Sequence, residues 1–327
     1  GKFGDLLKEG LENKGWTVAK QPLDNDSSRF NLLATRKPLD EVSPRLIFNT
    51  HLDTVPPYIP PTEDEENIYG RGSCDAKAQL ACMVSAAQSL VESHPDVADQ
   101  VGLLFVVGEE VDHVGMQKAN DFKSLKPEYL VVGEPTELKF ATIQKGALKV
   151  AIKCKGKAGH SGYPSEGESA IHKLIPVLND ILNYEWPSDD KSGATTINIG
   201  IIEGGHAQNA FAEFAQAKIF VRVTTSVAED QKRLEKIVAG RAEIEHLSSN
   251  DPVALDGAPL DYATDQVAFN TDLSYYEGLS CLKGKYLFGA GTIKVAHSAR
   301  EFVPKKELHA CKDVLIALAV KLCSEKK

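Results

Sequence analysis

The sequence predicts an α/β protein in which a mixed sheet is flanked by helices and interrupted by one inserted unit. Three observations predict it. Runs such as VGLLFVV and YLVV are continuously apolar, as in strands buried on both faces. These runs alternate with helical stretches, the pattern of α/β sheets joined by crossovers. Between residues 143 and 253 the order changes to strand, helix, strand, strand, helix, strand. That order is the split βαβ, or ferredoxin-like, unit. Its ends lie close together, which suits an insertion, so residues 1–142 and 254–327 form the first domain and 143–253 the inserted one.

Taken in order, residues 3–14 place Phe3, Leu6, Leu7 and Leu11 at helical spacing, and Gly15 ends the helix. WTVAK, FNLLATR and RLIFNT read as strands, followed by a polar loop rich in proline (Pro56, Pro57, Pro60, Pro61). Small and apolar residues from Ala76 to Val91 have a helical period, and VGLLFVV and YLVV are buried strands. In the insert, ALKVAIKCKG is a strand and Ser169–Tyr184 a helix with Ile171, Leu174, Ile175, Leu178 and Leu182 on one stripe. TTINIGIIEGG and AQAKIFVRVTT are strands, Ala228–Ala239 is a helix, and AEIEHLS is the last strand. That second helix reads short and joins the next strand abruptly at Gly240-Arg241. A helix near 265–276, a strand TIKVA and an amphipathic helix 305–324 complete the first domain.

Composition narrows the function. A chain of 327 residues with 42% hydrophobic and 25% charged residues is ordinary globular material. The formal charge of −9 and the absence of a dense Lys/Arg cluster argue against a nucleic-acid partner. The longest apolar stretch, Val314 to Val320, is too short to span a bilayer. Six scattered cysteines without a C-x-x-C pair point to thiols in a reducing compartment, so a cytoplasmic location is expected. A secreted or vacuolar location is the alternative, because the chain starts at Gly1 as a processed or trimmed product would, and carries one sequon at Asn25.

Five stretches then deliver acidic or histidine side chains after short apolar runs: His51 with Asp53, Asp75 in GRGSCDAK, Glu109 with Glu110, Glu134, and His297 after TIKVA. Side chains at the carboxyl ends of neighbouring strands converge on one crevice. A convergent carboxylate and imidazole set fits two metal ions, which together polarise a carbonyl and acidify water. His51 and Asp53, two apart on an extended segment, share a side, so the carboxylate is expected to reach the imidazole's distal N–H. Glu109 and Glu110 point apart, so one is expected to ligate and the other to take the water's proton. Taken singly, each feature has a bland reading: a structural His–Asp hydrogen bond, a solvated Gly-Glu-Glu turn, a strand-ending Gly-Glu-Pro.

The motifs HLDTVPP, GRGSCDAK, GEE, VGEPT and AHSARE, in this order, resemble the co-catalytic zinc amidohydrolases. That family includes acetylornithine deacetylase, succinyl-diaminopimelate desuccinylase, aminoacylase and carboxypeptidase G. The resemblance spans nearly the whole chain and is strongest for the acetylornithine deacetylase-like branch. One departure is Lys77-Ala78-Gln79, where the family usually has glycine. The resemblance implies a zinc-exopeptidase-like sheet and an inserted lid/dimerisation domain. It implies two Zn2+ per subunit, with Co2+ as a substitute. Asp75 would bridge them, His51 and Glu134 complete one site, and Glu110 and His297 the other. Glu109 would be the general acid/base, Asp53 the orienter of His51, and the Asp75–Ala76 peptide cis.

In the insert, the resemblance places His160 of GKAGHSGYP at the reacting oxyanion of the other subunit in a homodimer. Asn209 and Arg222 would hold substrate, and Gly289, Gly291 and Thr292 of FGAGT would offer groups to it. The family's usual proline after the asparagine is replaced by Ala210-Phe211-Ala212. His94, His113, His172, His206, His246 and His309 lack such context and are expected to have surface or packing roles, and Cys74 is expected to point away from the metals. The function so implied is amide hydrolysis of an N-acyl amino acid, acetylornithine-like, or of a small peptide. Rival readings are a dinuclear metallo-exopeptidase acting as carboxypeptidase, dipeptidase or aminopeptidase, and a metal-binding homologue without activity.

Overall fold

The computed structural model of the chain describes residues 1–38, 43–259 and 261–324. Ten strands matter here: β1 (Thr17–Pro22), β2 (Phe30–Thr35), β3 (Leu46–His51), β4 (Val101–Val106), β5 (Tyr129–Val132), β6 (Gly146–Lys155), β7 (Thr196–Gly204), β8 (Phe214–Val223), β9 (Glu243–Asn250) and β10 (Gly284–Leu287). The helices are α1 (Lys2–Glu12), α2 (Lys77–Ser93), α3 (Val114–Ala119), α4 (Ala170–Asn183), α5 (Val227–Val238) and α6 (Lys305–Ser324). Two compact units result: Gly1–Thr142 with Leu255–Asp265 and Thr271–Lys327, and Ile143–Ala254 with Gln266–Asn270.

The first unit is built on a six-stranded sheet ordered β1-β2-β4-β3-β5-β10. β4, β3, β5 and β10 run parallel, and β1 and β2 close one edge antiparallel. β2 to β5 are buried along their whole length, which is why their sequences are continuously apolar. Met83, Ala86 and Leu90 of α2 and Leu315, Leu318 and Leu322 of α6 share one core with Phe48, Leu103 and Phe105. The chain passes from β3 to β4 on one side and then to β5 on the other. This reversal opens a crevice at the carboxyl ends of these strands, where open α/β sheets bind ligands.

Two expectations fail in this unit. TIKVA is not a strand: Ile293–Val295 is a single 3-10 turn with no buried residue, and the sixth strand is β10. The apolar run that reaches the core is Tyr286-Leu287-Phe288, and Gly291 at φ 80° turns the chain away after it. Nor is there a helix over 265–276. Residues 264–267 are a strand and Asp272–Tyr275 a 3-10 turn begun by the Thr271 side chain, which accepts from Leu273 N. The chain crosses from one unit to the other within this stretch, which leaves no room for a continuous helix.

The second unit is an antiparallel sheet ordered β7-β8-β6-β9. With α4 and α5 it has the predicted βαββαβ order, so the α/β fold with a ferredoxin-like insert is the one observed. α4 buries Leu174, Val177, Leu178 and Ile181 against the sheet, while Ile175 and Leu182 are each 57% exposed. The expected stripe was therefore one position off for those two. Seven residues apart, they share the outer face, on the side of the helix away from the sheet.

One turn after β4 is set by sterics. Gly115 packs on the start of the 108–113 loop, and a Cβ there would lie 2.1 Å from the Val107 carbonyl oxygen. Gly115→Ala is therefore expected to cost about 1–3 kcal/mol through forced displacement. Thermal unfolding checks this, and an unchanged Tm would contradict it.

Candidate metal centre

β3 ends on His51, whose imidazole is fully buried. Its Nδ1–H donates to the Asp53 carbonyl at 3.0 Å, which turns Nε2 to Asp75 Oδ1 at 2.9 Å and Glu134 Oε1 at 3.7 Å. Asp75 sits on the tight 70–76 loop that leads into α2, with a cis Asp75–Ala76 peptide. Its other oxygen, Oδ2, lies 3.3 Å from Nε2 of His297, which is also 2.9 Å from Glu110 Oε2. One carboxylate thus faces two imidazoles with its two oxygens. His51, Glu109 and Glu134 form one group able to hold a metal ion, and His51, Asp75 and Glu110 another. All of the expected metal candidates in the first unit meet here. His297 arrives differently from expectation: it follows the 3-10 turn, not a strand, and lies in the left-handed region at φ 62°.

Asp53 also differs. Its carboxylate is 3.8 Å from His51 Nδ1, while its carbonyl takes that N–H. The carboxylate instead accepts from Gly108 N at 2.8 Å and Glu110 N at 3.4 Å. The end of β3 turns so that the nearer acceptor for the ring is main chain. The side chain is then free to pin the loop that carries Glu109 and Glu110.

Burial pushes Glu109 and Glu134 well above the usual carboxylate range, and neighbouring Asp75 adds to this. Burial also opposes protonation of His51, but Asp75, Glu134 and Glu109 outweigh it and raise its pKa well above the ordinary value. His297 is pushed up to about 10 by its hydrogen bonds to Asp75 and Glu110. Burial works against the charge on Asp75, yet the two imidazoles hold its pKa below the ordinary value. The cluster is short of positive charge. Glu110 Oε1 is buried without a hydrogen-bond partner, a costly state for a carboxylate oxygen. A hard or borderline cation is what such a carboxylate and imidazole set accepts, so the residues fit the metal that the resemblance implies.

Three residues without an expected role hold the loop of Asp75. Glu301, almost fully buried, accepts from the backbone N–H of Cys74 and Asp75, both at 3.1 Å, and pairs with buried Arg71 at 2.6 Å. Gln79 bridges Cys74 O and both main-chain groups of Ala290. Arg71 and Glu301 lie within the quoted motifs GRGSCDAK and AHSARE, so their charge beside ligand candidates was the available signal. Cys74 points to Thr292 O, away from the cluster, as expected.

The expected substrate contacts Gly291 and Thr292 are engaged within the protein. Gly291 N donates to Glu307 and the Thr292 hydroxyl to Glu137, because the 289–292 loop is clamped to the 134–138 loop. In the second unit, Ser161 N donates to Asn209 O and His160 bridges to Ala210, so His160 and Asn209 are neighbours. Gly162 N donates to His160 Nδ1, which leaves Nε2–H outward as a donor on an exposed ring. Arg222 lies near the far end of β8, stacked 4.0 Å over Phe220. Within one chain it is not part of the His160–Asn209 group.

Residues 142–248 match the peptidase dimerisation domain of M20 proteins. A peptidase M20 domain-containing protein of Schizosaccharomyces pombe is 37% identical over 93% of this chain and 76% of its own length. The chain belongs to the M20 peptidase family. The motif resemblance and these relatives agree on it. A probable carboxypeptidase of Arthroderma gypseum is 34% identical, over 94% of this chain and 77% of its own length. Among solved structures, a tripeptidase from Staphylococcus aureus superposes with a TM-score of 0.78 at 20% identity, covering 98% of this chain and 92% of that one. A dinuclear metal-binding peptidase from Bacillus subtilis gives 0.68 at 15% identity, covering 99% and 92%. At these identities the structures show a shared fold.

The titrations predict how metal removal shows itself. With His297 at about 10 when folded against 6.5 for a free imidazole, its contribution to stability is full below about 6.5 and is lost as pH rises towards 10. The raised carboxyls of Glu109 and Glu134 act in the same direction, and Asp75, depressed, contributes above 3.8 and loses this only in acid. Chelated protein should therefore lose urea resistance between pH 7 and 10, and added divalent cation should remove that slope. A midpoint that rises over this window without metal would contradict the assignment.

Proposed function

We propose that this M20 chain is a metal-dependent hydrolase that cleaves the terminal amide bond of short peptides or N-acyl amino acids, with two zinc ions as its resident metal. The observation that carries this reading is the Asp75 carboxylate facing both His51 and His297. His51, Asp75 and Glu134 would hold one ion, and Asp75, Glu110 and His297 the other. When bound, such ions polarise the scissile carbonyl and lower the pKa of water to about 7.

The protein's own groups supply the rest. Glu109 lies half-buried beside His51, and desolvation raises its affinity for a proton, which strengthens it as a base that later returns the proton. It accepts the proton of the attacking water and delivers it to the amide nitrogen as the C–N bond breaks. Asp53 fixes the loop of Glu109 and the tautomer of His51. His160, with Nε2–H turned outward, is the oxyanion donor offered to a partner copy, with Asn209 beside it. Arg222 is assigned to the substrate carboxylate, which its planar fork suits. The names of the carboxypeptidase relatives favour peptides over acetylornithine as substrate.

The second unit also supports a homodimer. β7 is an open edge of its sheet, and it carries exposed Ile201 and Ile202. An unpaired, apolar edge is a template for pairing with another chain.

Glu109→Gln should lower kcat by about 100-fold or more while bound zinc stays at the wild-type ratio. A panel of N-acyl amino acids, dipeptides with free carboxylates and amino-acid amides, assayed with zinc or cobalt, separates carboxyl-terminal from amino-terminal cleavage. Full activity of the Gln variant, or turnover undiminished by a chelator, would end this reading. Ile202→Lys should shift the protein from dimer to monomer by light scattering, and an unshifted mass would remove β7 from the interface.

A further inference from the structure

His113 was expected to have a surface or packing role, and it is the buried residue that closes the 108–113 loop. It is buried, lies in the left-handed region at φ 57°, and its backbone N–H donates to Gly108 O at 2.7 Å. Its Nδ1–H donates to Asp272 Oδ1 at 3.0 Å, and its ring stacks on Tyr275 with centroids 4.1 Å apart and planes 13° from parallel. Asp272 is itself buried and belongs to the 3-10 turn Asp272–Tyr275. A second tie runs beside the first: Asn120 donates to Tyr275 O and accepts from Glu277 N.

The base of the loop is fixed separately. Asn31 accepts from Val107 N and donates to Gly115 O, and Gly115 N donates to Val107 O. Asp53 holds Gly108 N and Glu110 N. Glu109 and Glu110 therefore lie within a loop whose two ends, Gly108 and His113, are both held. Beside the Asp53 contacts and the Glu110–His297 pair, the His113–Asp272 pair is a further side-chain bond that ties the 108–113 loop to another part of the first unit.

We propose that His113 and Asp272 are a positioning pair, which holds the loop so that Glu110 and Glu109 keep their places in the metal cluster. The proposal takes Glu109 and Glu110 in the roles given under Proposed function. His113 is given no direct part in metal or substrate binding. It acts through the loop, as hydrogen-bonded partners behind metal ligands do, whose loss typically costs about 10–100-fold in affinity or activity.

Two substitutions separate hydrogen bonding from packing. His113→Asn keeps a donor at the position of Nδ1 and loses the stacked ring, whereas His113→Phe keeps the ring and loses the donor. Zinc titration of the chelated full-length protein and steady-state kinetics at saturating zinc are the readouts. Expected for His113→Phe are about 10-fold weaker binding of zinc and a kcat about 10–100-fold lower, with KM within about 2-fold. His113→Asn should retain most of both properties. Asp272→Asn tests the acceptor without changing volume, and the double variant with His113→Phe should be no worse than the poorer single one.

Circular dichroism must first show each variant folded at the assay temperature. If His113→Phe does not fold, Asp272→Asn with the zinc titration still decides. Wild-type zinc affinity and kcat in folded His113→Phe, or His113→Asn as impaired as His113→Phe, would overturn the pair. Should the wild type cleave no peptide, Proposed function fails, while the zinc titration still judges the pair by itself.

Discussion

The site depends on one shared side chain. Asp75 presents one oxygen to His51 and the other to His297. Everything around it serves to hold that carboxylate charged, buried and aimed. Glu301 accepts the Asp75 and Cys74 backbone N–H groups, Arg71 neutralises Glu301, and Gln79 ties the loop to Ala290. The two buried ions of opposite sign, Arg71 and Glu301, are tolerated because each offsets the charge of the other, whereas either alone would be costly. The charge that Arg71 brings stays with Glu301, so it does not relieve the excess of carboxylate at the centre. That excess is the reason a cation belongs there.

A second constraint is the reversal of strand order about β3. β4 and β5 flank β3 in parallel, so three carboxyl ends open at one crevice. His51 is the last residue of β3, Glu109 and Glu110 follow β4, and Glu134 follows β5. The strands are buried and cannot move independently of the core. The loops beyond them are short and are cross-linked by side chains such as Asn31, Asp53 and His113. Such an arrangement fixes the candidate ligand side chains in place, which is how a protein raises both affinity and selectivity for what it binds.

Sequence reading of this chain succeeded where the signal was local. β2 to β5 were visible as apolar runs, α6 as an amphipathic stretch and the insert as an order of elements. It failed where long-range contacts decide. TIKVA has the composition of a strand, but Gly291, in the left-handed region, turns the chain off the sheet before it. Asp53 has the spacing of a side-chain partner for His51, but the backbone carbonyl is the nearer acceptor and the carboxylate goes to the next loop. His113 carries no motif at all. Its importance rests on Asp272, 159 residues away, and no spacing rule links the two.

By itself, then, the sequence determined the fold class, the family and the identity of the residues that could hold metal. Those features follow from residue chemistry in short windows: apolar runs, turn residues and the carboxylates and imidazoles that follow them. Only the tertiary structure decided which oxygen of Asp75 meets which histidine, which donors of the 289–292 loop are already engaged, and which buried residues brace the loop of Glu109 and Glu110. The reason is that these are distances across the sheet between chain segments far apart in sequence, and they are set by the packing of whole strands and helices, which no local pattern records.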